Sequence, residues 1–269
     1  MRELIETVSR ELATDSDSAA SVIAALLGRK RYEVYMKGEI GDCIRAKVLS
    51  QLRQMKKGKP IEYITRTVQF RDHVLRIDPG VFIPRTETEY LIEMIHNRLR
   101  NHPKRILEIG IGCGVISIAL ASVYPNACII ATDVSAQAIA NARQNIMDQA
   151  LERRINLVQC SMYDCIADEF DLIVSNPPYI PRPRLNRLPR SVRKFEPILA
   201  LDGGVHGVEF TQRLILEGKE CLSDDGVMVF EIDDDAVAAL TRFLDDHGID
   251  SFFFLKDLFG RSRYLFIGA

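Results

Sequence analysis

The spacing of apolar residues changes near residue 60, from a helical period to the period of a strand. Apolar residues three or four positions apart predict helices within 15–30 and 40–60, and both stretches end at a glycine followed by basic residues or proline. The next residues alternate between apolar and polar around an Asp-Pro-Gly triplet at 78–80, a composition typical of hairpin turns. We therefore predict a helical domain over 1–60 and a β-hairpin connector over 61–84.

Strands and helices alternate in the remaining residues, 85–269, which we predict to form one α/β domain. Apolar strands separated by helices are typical of a doubly wound, mostly parallel sheet that is covered on both faces. The last two strands have no helix between them, so we expect an antiparallel hairpin at the edge of the sheet. The predicted strands are 105–109, 128–132, 155–159, 170–174, 226–231, 251–256 and 263–267, and the predicted helices are 86–100, 114–123, 135–149, 207–221 and 234–247.

The first strand of this domain runs into a glycine-rich loop and a helix, in the segment RILEIGIGCGVISIAL. Gly110, Gly112 and Gly114 allow a tight turn and a close approach of the backbone to a ligand. A dinucleotide-binding loop would place its third glycine one residue later, at Val115. Glu108, at the end of the strand, would repel a pyrophosphate and favours a cationic ligand.

The second strand ends at Asp133, about twenty residues beyond the glycine loop. A carboxylate at this position of a doubly wound sheet binds the hydroxyls of a ribose. The alternative is a cap of the following helix, a role that Ser135 could fill equally well. A ribose and a cationic group beside an acidic strand end describe S-adenosylmethionine, so we predict that this cofactor binds at the carboxyl ends of the strands.

The fourth strand ends abruptly in Asn176-Pro177-Pro178-Tyr179. Proline cannot continue the ladder, and we expect Asn176 to reach the same edge of the sheet as the glycine loop. The side-chain oxygen of Asn176 and the carbonyl of Pro177 are then two rigidly held acceptors for one planar NH₂ group, beside the flat face of Tyr179. Amides and nucleobase amines both fit this description. Their nitrogen lone pair is delocalised, so catalysis would consist of positioning and electrostatic stabilisation; a purely structural turn is the alternative.

Composition narrows the class of protein further. Hydrophobic residues make up 47% of the chain and charged residues 27%, as in soluble globular proteins. No apolar run approaches the roughly 20 residues of a membrane span, and the charged N-terminus does not resemble a signal peptide. Six scattered cysteines and five dispersed histidines argue against a metal site, so we expect a cytoplasmic protein with reduced thiols.

Six basic residues and no acidic one lie between Arg182 and Lys194, in a loop that is either solvated or in contact with a partner.

The chain resembles the PrmC/HemK family of protein-(glutamine-N5) methyltransferases, which modify the glutamine of the Gly-Gly-Gln motif in class-1 peptide chain release factors. Asn-Pro-Pro-Tyr alone is shared with adenine-N6 methyltransferases, and its combination with IPRTETE and FEPILALDGG points to this family. The resemblance extends nearly from end to end, through LLGRKRYEVY, GKPIEYI, GVFIPRTETEYLIE, EIGIGCG, TDVS, DLIVSNPPYIP, FEPILALDGG and DLFGRSRYLFIG.

The resemblance implies a class I methyltransferase fold, S-adenosylmethionine as cofactor and a release factor as protein partner. It also implies that the helical N-terminal domain binds the substrate. The implied catalytic residues are Asn176, Pro177 and Tyr179; the implied cofactor residues are Glu108, Gly110, Gly112, Gly114, Asp133, Ser161 and Asn176; and the implied substrate residues are Asn176, Pro177, Pro178 and Tyr179, with Arg85 and Glu87 at the entrance.

Two departures from the family pattern keep alternatives open. Ser161 stands where an acidic residue near the adenine is expected, and Asp164 is a possible substitute. The loop over 182–194 is basic where the family is often acidic. The alternatives are methylation of a ribosomal-protein glutamine, adenine-N6 methylation of a nucleic acid, and a binding module without activity. The isoelectric point of about 6.2 and the lack of a basic, aromatic recognition domain argue against nucleic acid.

Overall fold

The first part of the chain is helical, as predicted. The computed structural model describes residues 1–36, 41–99 and 101–268. The side chain of Asp15 accepts a hydrogen bond from the Ser18 amide at the start of the second helix, and Gly28 ends that helix in the left-handed conformation. Buried apolar side chains, including Leu4 and Ile23, form a core among these helices. The helices are α1 (Arg2–Leu12), α2 (Ser16–Leu27), α3 (Arg31–Met36), α4 (Asp42–Lys56) and α5 (Ile61–Thr65).

A two-stranded hairpin follows, but its turn is not where the sequence predicted. Strands β1 (Thr67–Phe70) and β2 (His73–Arg76) pair so that Phe70 opposes His73, and the chain reverses at Arg71, whose φ is 50°. The Asp-Pro-Gly triplet at 78–80 forms a separate turn beyond β2, in which the Val81 amide donates to the Asp78 carbonyl over 3.1 Å. The prediction of the hairpin turn was wrong because an arginine occupies a left-handed conformation that usually indicates glycine.

The seven-stranded sheet has the order β5-β4-β3-β6-β7-β9-β8. Strands β3 to β7 are parallel, and β9 pairs antiparallel with both β7 and the edge strand β8, which confirms the predicted C-terminal hairpin. The chain builds outward from β3 to β5 and then returns to place β6 on the other side of β3, and such a reversal opens a crevice at the carboxyl ends of the strands. The strands are β3 (Arg105–Ile109), β4 (Cys128–Asp133), β5 (Ile155–Gln159), β6 (Phe170–Ser175), β7 (Leu222–Glu231), β8 (Phe252–Lys256) and β9 (Ser262–Ile267).

Helices cover both faces of this sheet and bury two apolar cores, one against α6, α7 and α8 and the other against α11 and α12. The five predicted helices are confirmed, although residue 100 of the first prediction lies outside the described residues. Two short helices in the basic loop, α9 and α10, were not predicted because prolines interrupt the apolar period. The helices are α6 (Thr86–Arg98), α7 (Val115–Val123), α8 (Ala136–Asp148), α9 (Arg182–Leu185), α10 (Arg190–Phe195), α11 (Glu209–Gly218) and α12 (Val237–Asp246).

Candidate active site

A cavity of about 300 Å³ lies at the carboxyl ends of β3, β4 and β6. Its position is the one that ligands occupy in doubly wound sheets, and its volume lies within the range of small-molecule sites. The turn at 78–81 and the segment 197–200 complete its walls. Of the residues predicted from the sequence, it brings together Glu108, Gly110, Gly112, Asp133, Ser161, Asn176, Pro177 and Pro178.

The glycines after β3 play two different parts. Gly110 and Gly112 have φ values of +81° and +55°, and a Cβ built on either would meet nothing within 4 Å. Their backbone therefore faces open space that a ligand could fill. Gly114 has φ of +95°, and its Cβ would lie 3.5 Å from Ile118 and 3.6 Å from Ala142. These are ordinary van der Waals distances, so it is the left-handed backbone that favours glycine at this position, and Gly114 does not line the cavity.

Glu108 presents a buried oxygen to the cavity. Its Oε2 accepts hydrogen bonds from the amide of Ser117, over 2.9 Å, and from the Ser117 hydroxyl. Its Oε1 is buried and has no hydrogen-bond partner among the residues that the structure describes. Burial raises the pKa of Glu108 to about 8. An unsatisfied buried acceptor requires an explanation, and a cationic group of a ligand provides one.

Asp133 braces the glycine loop. Its Oδ2 accepts from the Gly112 amide over 3.0 Å, and its Oδ1 accepts from the Ser135 amide over 2.8 Å. Burial raises the pKa of Asp133. The cap of α8 is Ser135, whose hydroxyl oxygen accepts from Ala138 over 3.3 Å. The capping role is therefore filled by Ser135, and Asp133 retains lone pairs for hydroxyl donors in the cavity.

The wall beyond β5 is formed by Cys160, Ser161 and Met162. Asp164, the possible acidic substitute, is exposed on the surface. This wall is therefore largely apolar, with the Ser161 hydroxyl as its polar side chain.

Asn176 belongs to a chain of hydrogen bonds that the sequence did not indicate. Its Nδ2 donates to Thr88 Oγ1 over 2.9 Å, and the Thr88 hydroxyl donates to Glu231 Oε2 over 2.8 Å. The other carboxylate oxygen, Oε1, accepts from the Tyr179 hydroxyl over 3.1 Å. Glu231 ends β7 as an acid after an apolar run, and Glu108 is similarly an acid after an apolar run, one residue before the end of β3. That parallel was the signal that could have identified it.

Tyr179 is held by its hydroxyl and by one face of its ring. The guanidinium of Arg263 lies 6.0 Å from the ring centroid, within the range of a cation–π contact. Burial raises the pKa of Tyr179, so its hydroxyl stays protonated and donates a hydrogen bond to Glu231.

The Asn-Pro-Pro-Tyr segment is braced from outside by residues 201–204. The amide of Ile180 donates to the Leu201 carbonyl over 3.0 Å, and the amide of Gly203 donates back to Ile180 over 2.9 Å. A Cβ at Gly203 would lie 2.7 Å from Tyr179 Cα, so the two segments could not approach this closely with any other residue there. The glycines of FEPILALDGG therefore fix the backbone that carries Asn176.

Arg85 and Glu87 line a second pocket, of about 440 Å³, rather than the cavity itself. Arg85 forms an ion pair with Glu196 over 2.7 Å, and the carboxylate side chain of Glu196 is 2% exposed. The pocket lies between the start of α6, residues 60–62 and α10. The predicted entrance is thus a second depression, which adjoins the cavity at Pro84.

The comparisons with known proteins agree with this geometry. The model of the family described as Methyltransferase small domain matches residues 74–186. The release factor glutamine methyltransferase of Rhodopirellula baltica is 33% identical over 223 residues, which cover 80% of this chain and 75% of that protein. That of Chlorobaculum tepidum is 34% identical over 246 residues, which cover 84% of this chain and 81% of that protein. The chain belongs to the release factor glutamine methyltransferase family.

Membership of the release factor glutamine methyltransferase family makes the chain a methyltransferase, and solved structures confirm the predicted class I methyltransferase fold. The ribosomal protein L11 methylase of Lactobacillus delbrueckii subsp. bulgaricus has a TM-score of 0.53 at 24% identity, covering 72% of this chain and 84% of that one. A methyltransferase from Pyrococcus furiosus has a TM-score of 0.57 at 20% identity, covering 81% and 98%. Within the described residues, every helix is too short or too polar to cross a bilayer.

Proposed function

We propose that the protein transfers a methyl group from S-adenosylmethionine to the side-chain nitrogen of the glutamine in the Gly-Gly-Gln motif of a class-1 release factor. The observation that carries this proposal is the orientation of the Asn176 side-chain amide. Its nitrogen donates to Thr88, which leaves its oxygen as an acceptor at the wall of a cavity that also contains the buried Oε1 of Glu108, an acceptor without a partner among the described residues. The named activity of the relatives supports the same reaction.

The residues of the cavity fit S-adenosylmethionine. Asp133 would accept hydrogen bonds from the ribose hydroxyls, and the backbone at Gly110 and Gly112 would lie against the ligand. Glu108 would receive the cationic amino group, while Ser161 and Met162 would flank the adenine. The cofactor, when bound, supplies a methyl group activated by a positively charged sulfur.

The acceptors at the end of β6 prepare the substrate. Asn176 Oδ1 and the Pro177 carbonyl accept the two N–H bonds of the glutamine amide and hold its nitrogen in place. An amide nitrogen is a weak nucleophile because its lone pair is delocalised into the carbonyl. Fixing both N–H bonds orients that nitrogen and favours the loss of delocalisation as a new N–C bond forms, so the contribution is positioning and electrostatics. The S–C bond of the cofactor would break as the N–C bond forms, so that the sulfur becomes neutral, and the nitrogen then releases one proton to water.

The release factor requires a larger surface than the cavity. We assign this contact to the helical segment 1–60 and to the pocket lined by Arg85 and Glu87. A substrate that acts in translation termination implies that the enzyme works in the cytoplasm.

Two arginines of the basic loop form ion pairs within the protein: Arg182 with Asp202, and Arg184 with Asp233 and Asp235. These ion pairs weigh against a phosphate-binding role and so against a nucleic-acid substrate.

The test is to incubate the protein with S-adenosylmethionine and a bacterial class-1 release factor. We expect mass spectrometry to find one added methyl group on the glutamine of the Gly-Gly-Gln motif. A release factor with Gln→Ala at that position is the control and should remain unmodified. Methylation of ribosomal proteins or nucleic acid in parallel incubations, with an unmodified release factor, would overturn the proposal.

Cofactor binding is also expected to release a proton from Glu108. Its pKa of about 8 means that the carboxyl is protonated in the free protein at lower pH. A cationic ligand favours the ionised form and lowers this pKa, so binding at about pH 6.5 should release close to one proton. The affinity should accordingly increase by up to about tenfold per pH unit as the pH rises toward the free-protein pKa.

Titration calorimetry in two buffers of different ionisation enthalpy measures this proton. Glu108→Gln keeps the size of the side chain but has no proton to release, and it serves as the matched control. Equal proton release by the wild-type protein and this variant would show that Glu108 does not face the cationic group.

A further inference from the structure

We infer that Glu231 is a positioning residue, which acts through Thr88 to determine which end of the Asn176 amide faces the substrate. This inference rests on the proposed function. Glu231 is 0% exposed at the end of β7, where an unused carboxylate would be costly. Both of its oxygens are engaged, one by Thr88 and one by Tyr179.

The direction of the hydrogen bonds follows from the chemistry of the groups. An ionised carboxylate can only accept hydrogen bonds, and the Thr88 hydroxyl has a single proton to give. That proton goes to Glu231 Oε2, so the Thr88 oxygen can only accept from Asn176. An accepting oxygen requires the NH₂ end of the Asn176 amide on its side, and the carbonyl end is thereby turned away from Thr88.

Without the carboxylate, this direction is lost. The Thr88 hydroxyl can then rotate and donate its proton to Asn176 Oδ1, with the amide turned over. A reversed amide presents N–H groups to the N–H groups of the substrate, so an acceptor becomes a repelling donor. Removal of one oriented polar group from an active site typically lowers kcat by about 10²–10³-fold.

The surroundings of Glu231 keep it available for this role. Burial raises its pKa to about 7, while the hydrogen bonds from Thr88 and Tyr179 and the charge of Arg263 oppose this rise. Arg263 is itself fixed, because its Nη1 donates to the Ile232 carbonyl over 2.9 Å. Glu87, on α6, acts in the opposite direction by repulsion. Arg263 therefore favours the ionised, acceptor-only form, which predominates above a pH of about 7.

The experiment compares Thr88→Val, Thr88→Ser, Glu231→Leu and the Thr88→Val/Glu231→Leu double variant in methylation of a release factor. Valine keeps the shape of threonine without its hydroxyl, whereas serine keeps the hydroxyl. We expect Thr88→Val and Glu231→Leu each to lower kcat about 100-fold, with the Kd for S-adenosylmethionine changed less than about twofold. Thr88→Ser should retain more than about a third of wild-type kcat.

The double variant decides whether the two residues act as one chain. If Glu231 acts through Thr88, the double variant should be no slower than the slower single variant. Losses that multiply in the double variant, a kcat for Thr88→Ser as low as that for Thr88→Val, or a parallel loss of cofactor affinity would overturn the inference.

Neutron diffraction on the wild-type protein tests the orientation without any substrate. The deuterated nitrogen of Asn176 should face Thr88, and an oxygen in that place would overturn the inference even if the release factor is methylated. Conversely, absence of wild-type turnover contradicts the proposed function but leaves this measurement decisive for the amide. Should Glu231→Leu not fold, Glu231→Gln replaces it, because its amide allows both hydrogen-bond directions, and the neutron map should then show Asn176 in both orientations.

Discussion

Replacement of Asn176 by alanine is expected to lower kcat for methylation of the release factor by about 10³-fold while the Kd for S-adenosylmethionine remains nearly unchanged. The variant removes the acceptor oxygen that the Thr88 hydroxyl and Glu231 hold toward the substrate. The Pro177 carbonyl remains, but a single acceptor leaves the amide free to rotate, and its lone pair is no longer directed at the methyl group. The cofactor contacts on β3 and β4 are separate from this change.

The measurement is the rate of glutamine methylation by mass spectrometry, together with calorimetric titration of the cofactor. Asn156→Ala removes an exposed amide from β5 and is the matched control, which should keep both properties. Comparable methylation by Asn176→Ala would show that the amide receptor is not at the end of β6.

Replacement of Asp133 by alanine is expected to weaken binding of S-adenosylmethionine by about 1.5–3 kcal/mol, the usual value of a hydrogen bond to a charged group. This corresponds to an increase in Kd of about 10- to 150-fold. Two effects contribute: the ribose loses its acceptor, and the Gly112 amide loses the bond of 3.0 Å that steadies the glycine loop.

Calorimetry at a pH above the pKa of Glu108 measures this change without interference from its proton. Asp164→Ala is the control, because that carboxylate is exposed beyond the apolar wall. A change in binding free energy near zero for Asp133→Ala would remove Asp133 from the cofactor site.

The sequence predicted the sheet, its helices and the cavity because their signals are local. Each strand of the sheet is an apolar run that ends at a polar residue or glycine, and parallel strands bring those ends to one edge. Asn176 was therefore expected near the glycine loop, and both line the same cavity. Where the chain departed from local rules, as at the left-handed Arg71, the prediction failed.

The support of the site could not be predicted, because it depends on distant pairs. Thr88 lies 88 residues from Asn176 and 143 residues from Glu231 along the chain. No periodicity connects residues at such distances, and a threonine inside a helix is usually a solvent-exposed or capping residue. The position of Arg85 outside the cavity could not be predicted for the same reason, because its ion pair with Glu196 also joins residues far apart along the chain.

The buried, unpaired oxygen of Glu108 has a consequence for the lifetime of the protein. A buried acceptor without a hydrogen-bond donor lowers the free energy of unfolding, and a ligand that supplies the donor removes this cost. By mass action, a ligand at 100 times its Kd adds about 2.7 kcal/mol to resistance against unfolding. The methyl donor, when present well above its Kd, would thus protect the enzyme from heat and from proteolysis of its unfolded form.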